Sequence, residues 1–295
     1  MALDAFLDYL KVERNYSKHT LEAYGKDLSD FTGFCEQGDG VLVAAAQYIH
    51  IRSWIVALSQ QGVSNRSINR KVSSLRAYYR FLRKIGQRTD DPLVKHRALK
   101  VAKQVEVPFS QQEMDAVLLQ IDYGEGFTGA RDKAMVELLY GTGMRRAELI
   151  ELRLSDVDFS GRTLKVLGKR NKERLIPILD TLSQTLSEYL KYRNQLATLE
   201  ANEYFFLLES GKKIYPNLVY RTINKYLGEV SAKVKKSPHM LRHTFATHLL
   251  AQGADINSVK ELLGHAGLAA TQIYTHQGIA ELKKVHRSAH PRNKG

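Results

Sequence analysis

Several cationic side chains in the second half of the sequence are placed as work on a phosphate would need them. The pentavalent transition state of a phosphodiester carries extra negative charge, and fixed Arg, Lys and His donors stabilise it. The run Gly141-Thr-Gly143-Met-Arg145 puts an arginine at what reads as a helix start, with Glu148 three residues on and able to orient it. His239 and Arg242 form an i,i+3 pair, His265 follows the helix stop Gly264, and Lys169 falls on the tip of an expected hairpin. Taken singly, each has an ordinary reading: a surface ion pair for Arg145, solubility for Lys169, a capping side chain for His265, a half-buried helix aromatic for Tyr274.

Other routes to phosphate chemistry find little support. No GxxxxGK[ST] loop is present, so ATP is not implied. Gly124-Glu-Gly126-Phe-Thr-Gly129 matches GxGxxG but follows a helical pattern and reads as a flexible loop. HExxH is missing, no Asp/Glu cluster resembles a two-metal site, and His243 and His248 are spaced poorly for shared ligation, so they read as structural or phosphate-contacting. Cys35, the single cysteine, can form neither an internal disulfide nor a Cys-based zinc site and reads as a small core residue beside Phe34. Neither a metal nor a cofactor is expected.

These residues must be held by something, and 295 residues suggest two domains. Hydrophobic residues at 43% and charged residues at 25% exclude a disordered or low-complexity chain. No apolar run approaches a membrane span, and Asp4 and Asp8 stand where a signal peptide needs positive charge, so a cytoplasmic protein with no membrane partner is expected. The net charge of +13 makes a polyanion the natural partner. That charge is unevenly placed: residues 1–40 hold four basic and eight acidic side chains, residues 66–103 twelve basic and two acidic.

The first hundred residues read as a helical bundle, with helices over Leu3 to Glu13, Ser17 (as N-cap) to Glu36, Gln47 to Gln60 and Ser67 to Ile85. In the last, Ile68, Val72, Leu75, Tyr79 and Leu82 make one stripe and Arg70, Arg76, Arg80, Arg83 and Lys84 another, while Lys71 breaks the pattern. One side can enter a core while the other, with Arg66 just ahead of it, meets phosphates. Asp91-Pro92 ends this block, and Ser110-Gln-Gln-Glu113 has capping-box spacing for a new helix. The expected division is a helical domain over 1–97, a linker over 98–108 and a second domain over 109–295. The fold class is mainly α with a small antiparallel β-sheet insertion. Thr163 to Leu167 and Glu173 to Ile178 flank Gly168-Lys-Arg-Asn-Lys172 as a hairpin, and Tyr204 to Leu208 with Lys213 to Tyr215 suggest a second. Helices over Asn217 to Val230, Pro238 to Gln252 and Asp255 to Leu263 complete the chain.

The ordered series GTGMR(145)RAELIEL, LGK(169)RNKERLIP, PH(239)MLR(242)HTFATHLL, LLGH(265) and Tyr274 resembles the tyrosine recombinase (phage integrase) family, most strongly its Xer-type members. Ser17-Lys-His-Thr-Leu-Glu-Ala-Tyr24 and Ser67 to Leu82 resemble that family's SAM-like core-binding module, so the likeness spans nearly the whole chain. It implies a helical DNA-clamping domain followed by a mixed α/β catalytic domain. Arg145, Lys169, His239, Arg242 and His265 would line the active site, Tyr274 would be the nucleophile and Glu148 would orient Arg145. The family needs neither metal nor nucleotide: its tyrosine makes a 3′-phosphotyrosyl link, releases a 5′-hydroxyl, and strands are exchanged through a Holliday junction. Arg146, Arg170 and Lys172 would contact DNA. Arg170 stands where Xer-type hairpins commonly have Gly, and Lys172 is the alternative general acid.

The implied partners are a double-stranded recombination site and a homo- or hetero-tetramer on two such sites, with a paralogous recombinase and a DNA translocase both open. The length favours chromosome dimer resolution over integration or inversion of a mobile element. A regulator that keeps the fold but does no chemistry has no reason to retain Tyr274 with its partners. The tail from Ile279 to Gly295 would dock on a neighbouring protomer, as family tails do.

Overall fold

The computed structural model describes residues 2–102, 106–168, 173–198, 200, 202–233, 235–264, 286 and 288–290. The chain forms two compact units, 1–104 and 105–295.

In the first unit, α1 (Ala2–Val12), α2 (Lys18–Gln37), α3 (Tyr48–Gln60) and α4 (Asn65–Lys84) enclose a core of Phe6, Leu28, Phe31, Trp54 and the whole apolar stripe of α4. Apolar spacing sets which side of α4 turns inward, and the Ser64 hydroxyl caps its start by accepting from the Ser67 N–H. Asp27 of α2 is 1% exposed and receives both Arg70 and the Ser74 hydroxyl, so a buried carboxylate sits inside this bundle with its charge matched. The stretch after α4 stays with the first unit further than the sequence suggested. Asn69 exchanges two hydrogen bonds with Leu99, and Asn65 donates to the Lys100 carbonyl. Backbone polar groups that meet such partners behave as part of a domain, so the linker starts beyond the expected position 98.

In the second unit, the expected capping box starts the first helix. Ser110 and Glu113 satisfy each other's backbone N–H, and α5 (Gln111–Asp115) runs on as a π-helical turn over Ala116–Gln120. The central element is α6 (Gly126–Thr142), which is buried on nearly all sides from Gly129 onward and packs against α8 (Asp180–Arg193) and α10 (Pro238–Ala251). The GxGxxG run is therefore half loop and half first turn of α6. Gly129 permits the turn to pack on the loop, because a Cβ there would lie 1.9 Å from the Gly124 carbonyl oxygen.

The hairpin is present as β2 (Thr163–Leu167) and β3 (Glu173–Pro177), antiparallel with Val166 opposite Arg174 and Leu164 opposite Ile176. A third strand that the sequence did not announce, β1 (Val157–Asp158), joins on the far side of β2, giving the order β1-β2-β3. Two residues are too few to show a period. The second expected hairpin is reduced to one isolated bridge, Leu207 with Lys213, and Tyr204 bridges to Arg153 instead. Tyr204–Phe206 instead serve the core: Arg193, 1% exposed, donates to the carbonyls of Asn202, Tyr204 and Phe205. Helices α7 (Arg146–Glu151), α9 (Pro216–Val230) and α11 (Ile256–Leu263) complete the described part.

Candidate active site

The start of α7 and the strand β3 converge on a single carboxylate, that of Glu148. Helix α6 ends at Gly143, whose φ of +60° places it in the left-handed region, and a Cβ there would meet the Phe245 ring at 2.4 Å. This sharp stop delivers Arg145 to the N-cap of α7. Glu148, at N3, accepts the Arg145 backbone N–H on Oε2 at 2.7 Å and its Nη1 on Oε1 at 2.7 Å. The orienting contact expected between these residues is thus made twice, by backbone and by side chain.

The sequence reading missed the third member. Arg174 of β3 is 4% exposed and grips the same carboxylate with both forks, Nη1 to Oε1 at 2.9 Å and Nη2 to Oε2 at 2.8 Å. A signal existed: the alternation of β3 puts Arg174 on the inward face with Ile176, where an arginine needs a partner. Burial alone would raise the carboxyl pKa of Glu148, but the hydrogen bonds and charges of Arg174 and Arg145 outweigh it and hold it below the usual value.

Arg242 of α10 approaches from the other side. It is 7% exposed, with Nη1 donating to the Gly143 carbonyl at 2.6 Å and Nη2 to the Leu263 carbonyl at 2.6 Å. Burial, followed by repulsion from Arg145 and Arg174 and offset by Glu148, lowers its pKa to about 10, so it stays charged at neutral pH. The last turn of α11, closed by the left-handed Gly264, becomes a shared anchor. Arg174 Nε takes the Leu262 carbonyl at 3.0 Å, Arg242 that of Leu263, and Arg145 Nη2 that of Gly264 at 3.4 Å. Carbonyls without helical partners at a helix C-terminus attract cations, so one end of α11 fixes three guanidiniums at once. His265 is the next residue in the chain.

His239 lies one turn before Arg242 on α10 but its side chain is 77% exposed, with Nε2 3.9 Å from the Glu106 carboxylate that also binds Lys235. His243 and His248 have structural partners. His243 Nε2 meets the Glu106 carbonyl at 3.2 Å, and His248 bridges the Phe109 carbonyl and the Tyr140 hydroxyl at 2.9 Å each. Burial lowers the pKa of His248, which suits a neutral ring that donates through Nε2 and accepts through Nδ1. In the described part of the tail, His286 is buried and donates to the Gly141 carbonyl of its own chain. Lys169, Arg170, Lys172, His265 and Tyr274 lie outside the described residues. Among the described residues no group of His, Cys, Asp or Glu is placed to hold a metal ion, and no helix is long and apolar enough to cross a membrane.

The basic side chains expected to meet DNA separate into two groups. Arg66, Arg80 and Arg83 are exposed, Arg76 is half-buried, and none of the four carries a salt bridge among the described residues. Arg146 is exposed at the start of α7. Arg70 and Lys84 already have partners: Arg70 forks onto Asp27, and Lys84 pairs with Glu13 over the Tyr9 ring. Lys71, which broke the pattern, reaches Asp30 and Asp27 across the Trp54 ring.

Comparison with known proteins adds a second line. The model of the phage integrase family matches residues 108–280, and that of the phage integrase N-terminal SAM-like domain matches residues 3–86. The tyrosine recombinase XerC of Oceanobacillus iheyensis is 38% identical over 99% of this chain and 97% of its own length. That of Listeria innocua is 38% identical over 97% of this chain and 96% of its own. Among solved structures, XerH recombinase bound to a palindromic difH substrate in a post-cleavage complex is similar at a TM-score of 0.72 and 21% identity, covering 96% of this chain and 83% of that one. The Tn1549 transposon integrase with transposon right-end DNA is similar at a TM-score of 0.72 and 19% identity, covering 96% and 99%. These two likenesses concern the fold.

Proposed function

Because this chain belongs to the phage integrase family, as an Xer-type tyrosine recombinase acting on DNA sites, we propose how its own side chains divide the reaction. The observation that carries the proposal is the cluster itself: three guanidiniums, Arg145, Arg174 and Arg242, gathered around one carboxylate and one helix end. Arginine keeps its charge and presents planar forks suited to paired phosphate oxygens. Arg145 and Arg242 spend some of their N–H donors on Glu148 and on carbonyls, which fixes their planes, and the remaining donors take the nonbridging oxygens of the scissile phosphate.

Tyr274 is the nucleophile. A phenol with an ordinary pKa of about 10 needs a proton acceptor at neutral pH, and His239, exposed at the start of α10, fills that role when neutral. The phenolic oxygen forms a bond to phosphorus while the bond from phosphorus to the 5′-oxygen breaks. Lys169 gives that oxygen its proton, leaving a 3′-phosphotyrosine and a 5′-hydroxyl, and His265 donates to the phosphate. The bond energy stays in the phosphotyrosine, so a 5′-hydroxyl from a partner strand reverses the step without a nucleotide. Lys172 is a phosphate contact on the same hairpin. Arg66, Arg76, Arg80, Arg83, Arg146 and Arg170 hold the DNA backbone, with Arg70 and Lys84 secondary because their charges are matched within the protein.

Four protomers on two sites complete a Holliday junction. The biological role is chromosome dimer resolution, supported by XerC relatives matched over nearly their whole length. A paralogous partner and a controlling translocase belong to the same proposal. The test is a nicked suicide duplex carrying the genomic sequence the protein protects from nuclease, run on a denaturing gel beside Tyr274→Phe. A covalent adduct from wild type alone, with a free 5′-hydroxyl, is expected. An adduct from the Phe variant would remove Tyr274 from its role.

A further inference from the structure

Glu148 poses an electrostatic problem for the reaction proposed above. A carboxylate that orients Arg145 by a 2.7 Å ion pair also cancels its charge, in a site whose substrate is an anion. In the low-dielectric setting of a buried cluster that cancellation is costly to any transition state gaining negative charge. The structure resolves this through Arg174. Its guanidinium covers both Glu148 oxygens, Oε1 being shared between Arg174 Nη1 at 2.9 Å and Arg145 Nη1 at 2.7 Å. Its Nε donates to the Leu262 carbonyl at 3.0 Å, so each of the three nitrogens of Arg174, which is 4% exposed, has a partner inside the protein.

We infer that Arg174 is a positioning residue that neutralises Glu148, so that the carboxylate can orient Arg145 without cancelling the charge Arg145 brings to the scissile phosphate. The inference rests on the recombinase reading. With Arg174 in place the cluster holds three guanidiniums against one carboxylate, and the surplus sits on Arg145 and Arg242. Without it, Glu148 has Arg145 as its nearest counter-charge. The strand that carries Arg174 also follows residues 168–172 in the hairpin, so one side chain ties the register of β3 to the end of α11 and to the start of α7.

The test measures single-turnover adduct formation by the full chain on the nicked suicide duplex at saturating protein, with thermal melting and DNA affinity measured alongside. Arg174→Gln should lower the cleavage rate about 100-fold, the order lost when one charge-stabilising donor is removed. Its DNA affinity should stay close to wild type. Adding Glu148→Gln to it should raise the rate again by about tenfold, because removing the carboxylate removes the need to neutralise it. Arg174→Lys, which keeps the charge and loses the fork, should fall between Arg174→Gln and wild type.

A role confined to holding the architecture predicts the opposite order for the pair, the double variant being no faster than Arg174→Gln. That result overturns the inference, as does wild-type cleavage by Arg174→Gln, or a failure of both Arg174→Gln and Arg174→Lys to fold at 25 °C. No adduct from wild type would instead sink the recombinase reading beneath it, which keeps the two failures apart.

Discussion

The two units use arginine in opposite ways. Along α4 the cations of Arg66, Arg80 and Arg83 are exposed and carry no salt bridge among the described residues. Around Glu148 the guanidiniums of Arg174 and Arg242 are 4% and 7% exposed, each with fixed hydrogen-bond partners. Exposed cations act through a screened field, and each is replaceable by its neighbours. Buried ones act at a single point, and their desolvation is tolerable only because carbonyls and a carboxylate surround them. The first arrangement suits holding a polyanion of any sequence; the second suits stabilising charge that appears for an instant on one phosphate.

The largest test of that contrast is Arg242→Ala. If Arg242 meets the scissile phosphate as proposed, its loss should cut adduct formation by about 10²–10³-fold or more while DNA affinity changes only a few-fold. Cleavage that falls only as far as binding does would place Arg242 with the α4 residues and erase the distinction.

Next in size is Glu148→Ala, read by urea unfolding. Breaking a buried pair by removing one partner typically costs about 3–5 kcal/mol, here because three guanidiniums would face one another with no carboxylate between them. The pH dependence has a definite sign. The folded-state pKa of Glu148 lies below its ordinary value of 4.5, so its contribution is complete above that value and is lost as pH falls through the folded pKa. Wild type and Glu148→Gln should therefore converge in stability as the solution is acidified below pH 4.5. A constant difference down to strongly acid pH would show that the charge on Glu148 contributes nothing.

Much of this was legible in the sequence because local rules decide it. The Ser110/Glu113 capping box, the glycine stop at Gly264 and the apolar stripe of α4 each depend on neighbours within one or two turns. Arg145 and Glu148 were readable as a pair for the same reason. Arg174 was hidden because its partners are Glu148, 26 residues away, and Leu262, 88 residues away, and no local rule spans such distances. Asp27 was hidden likewise: its partners lie 43 to 47 residues on in α4, so a helix read alone showed Arg70 as free charge and Lys71 as a break in the pattern. The two-residue strand β1 exists only because β2 is there to pair with it.

The smallest predicted effect is the sharpest on that last point, since it compares two arginines of one helix. Arg80 is exposed and without a salt bridge among the described residues, whereas Arg70 donates both Nη groups to a carboxylate that is 1% exposed. If Arg80 contacts a phosphate, Arg80→Ala should weaken DNA binding a few-fold and reduce the slope of log affinity against log salt by about one. Cleavage at saturating DNA and the melting temperature should be unchanged. Arg70→Ala should do the reverse. Its charge is already balanced by Asp27, so releasing no DNA counterion leaves the slope nearly as in wild type, while Asp27, left with Ser74 and the longer contact to Lys71, lowers the melting temperature. Equal salt slopes with equal stabilities for the two variants would show that Asp27 does not withdraw Arg70 from the DNA-facing charge, and the division of labour within α4 would have to be abandoned.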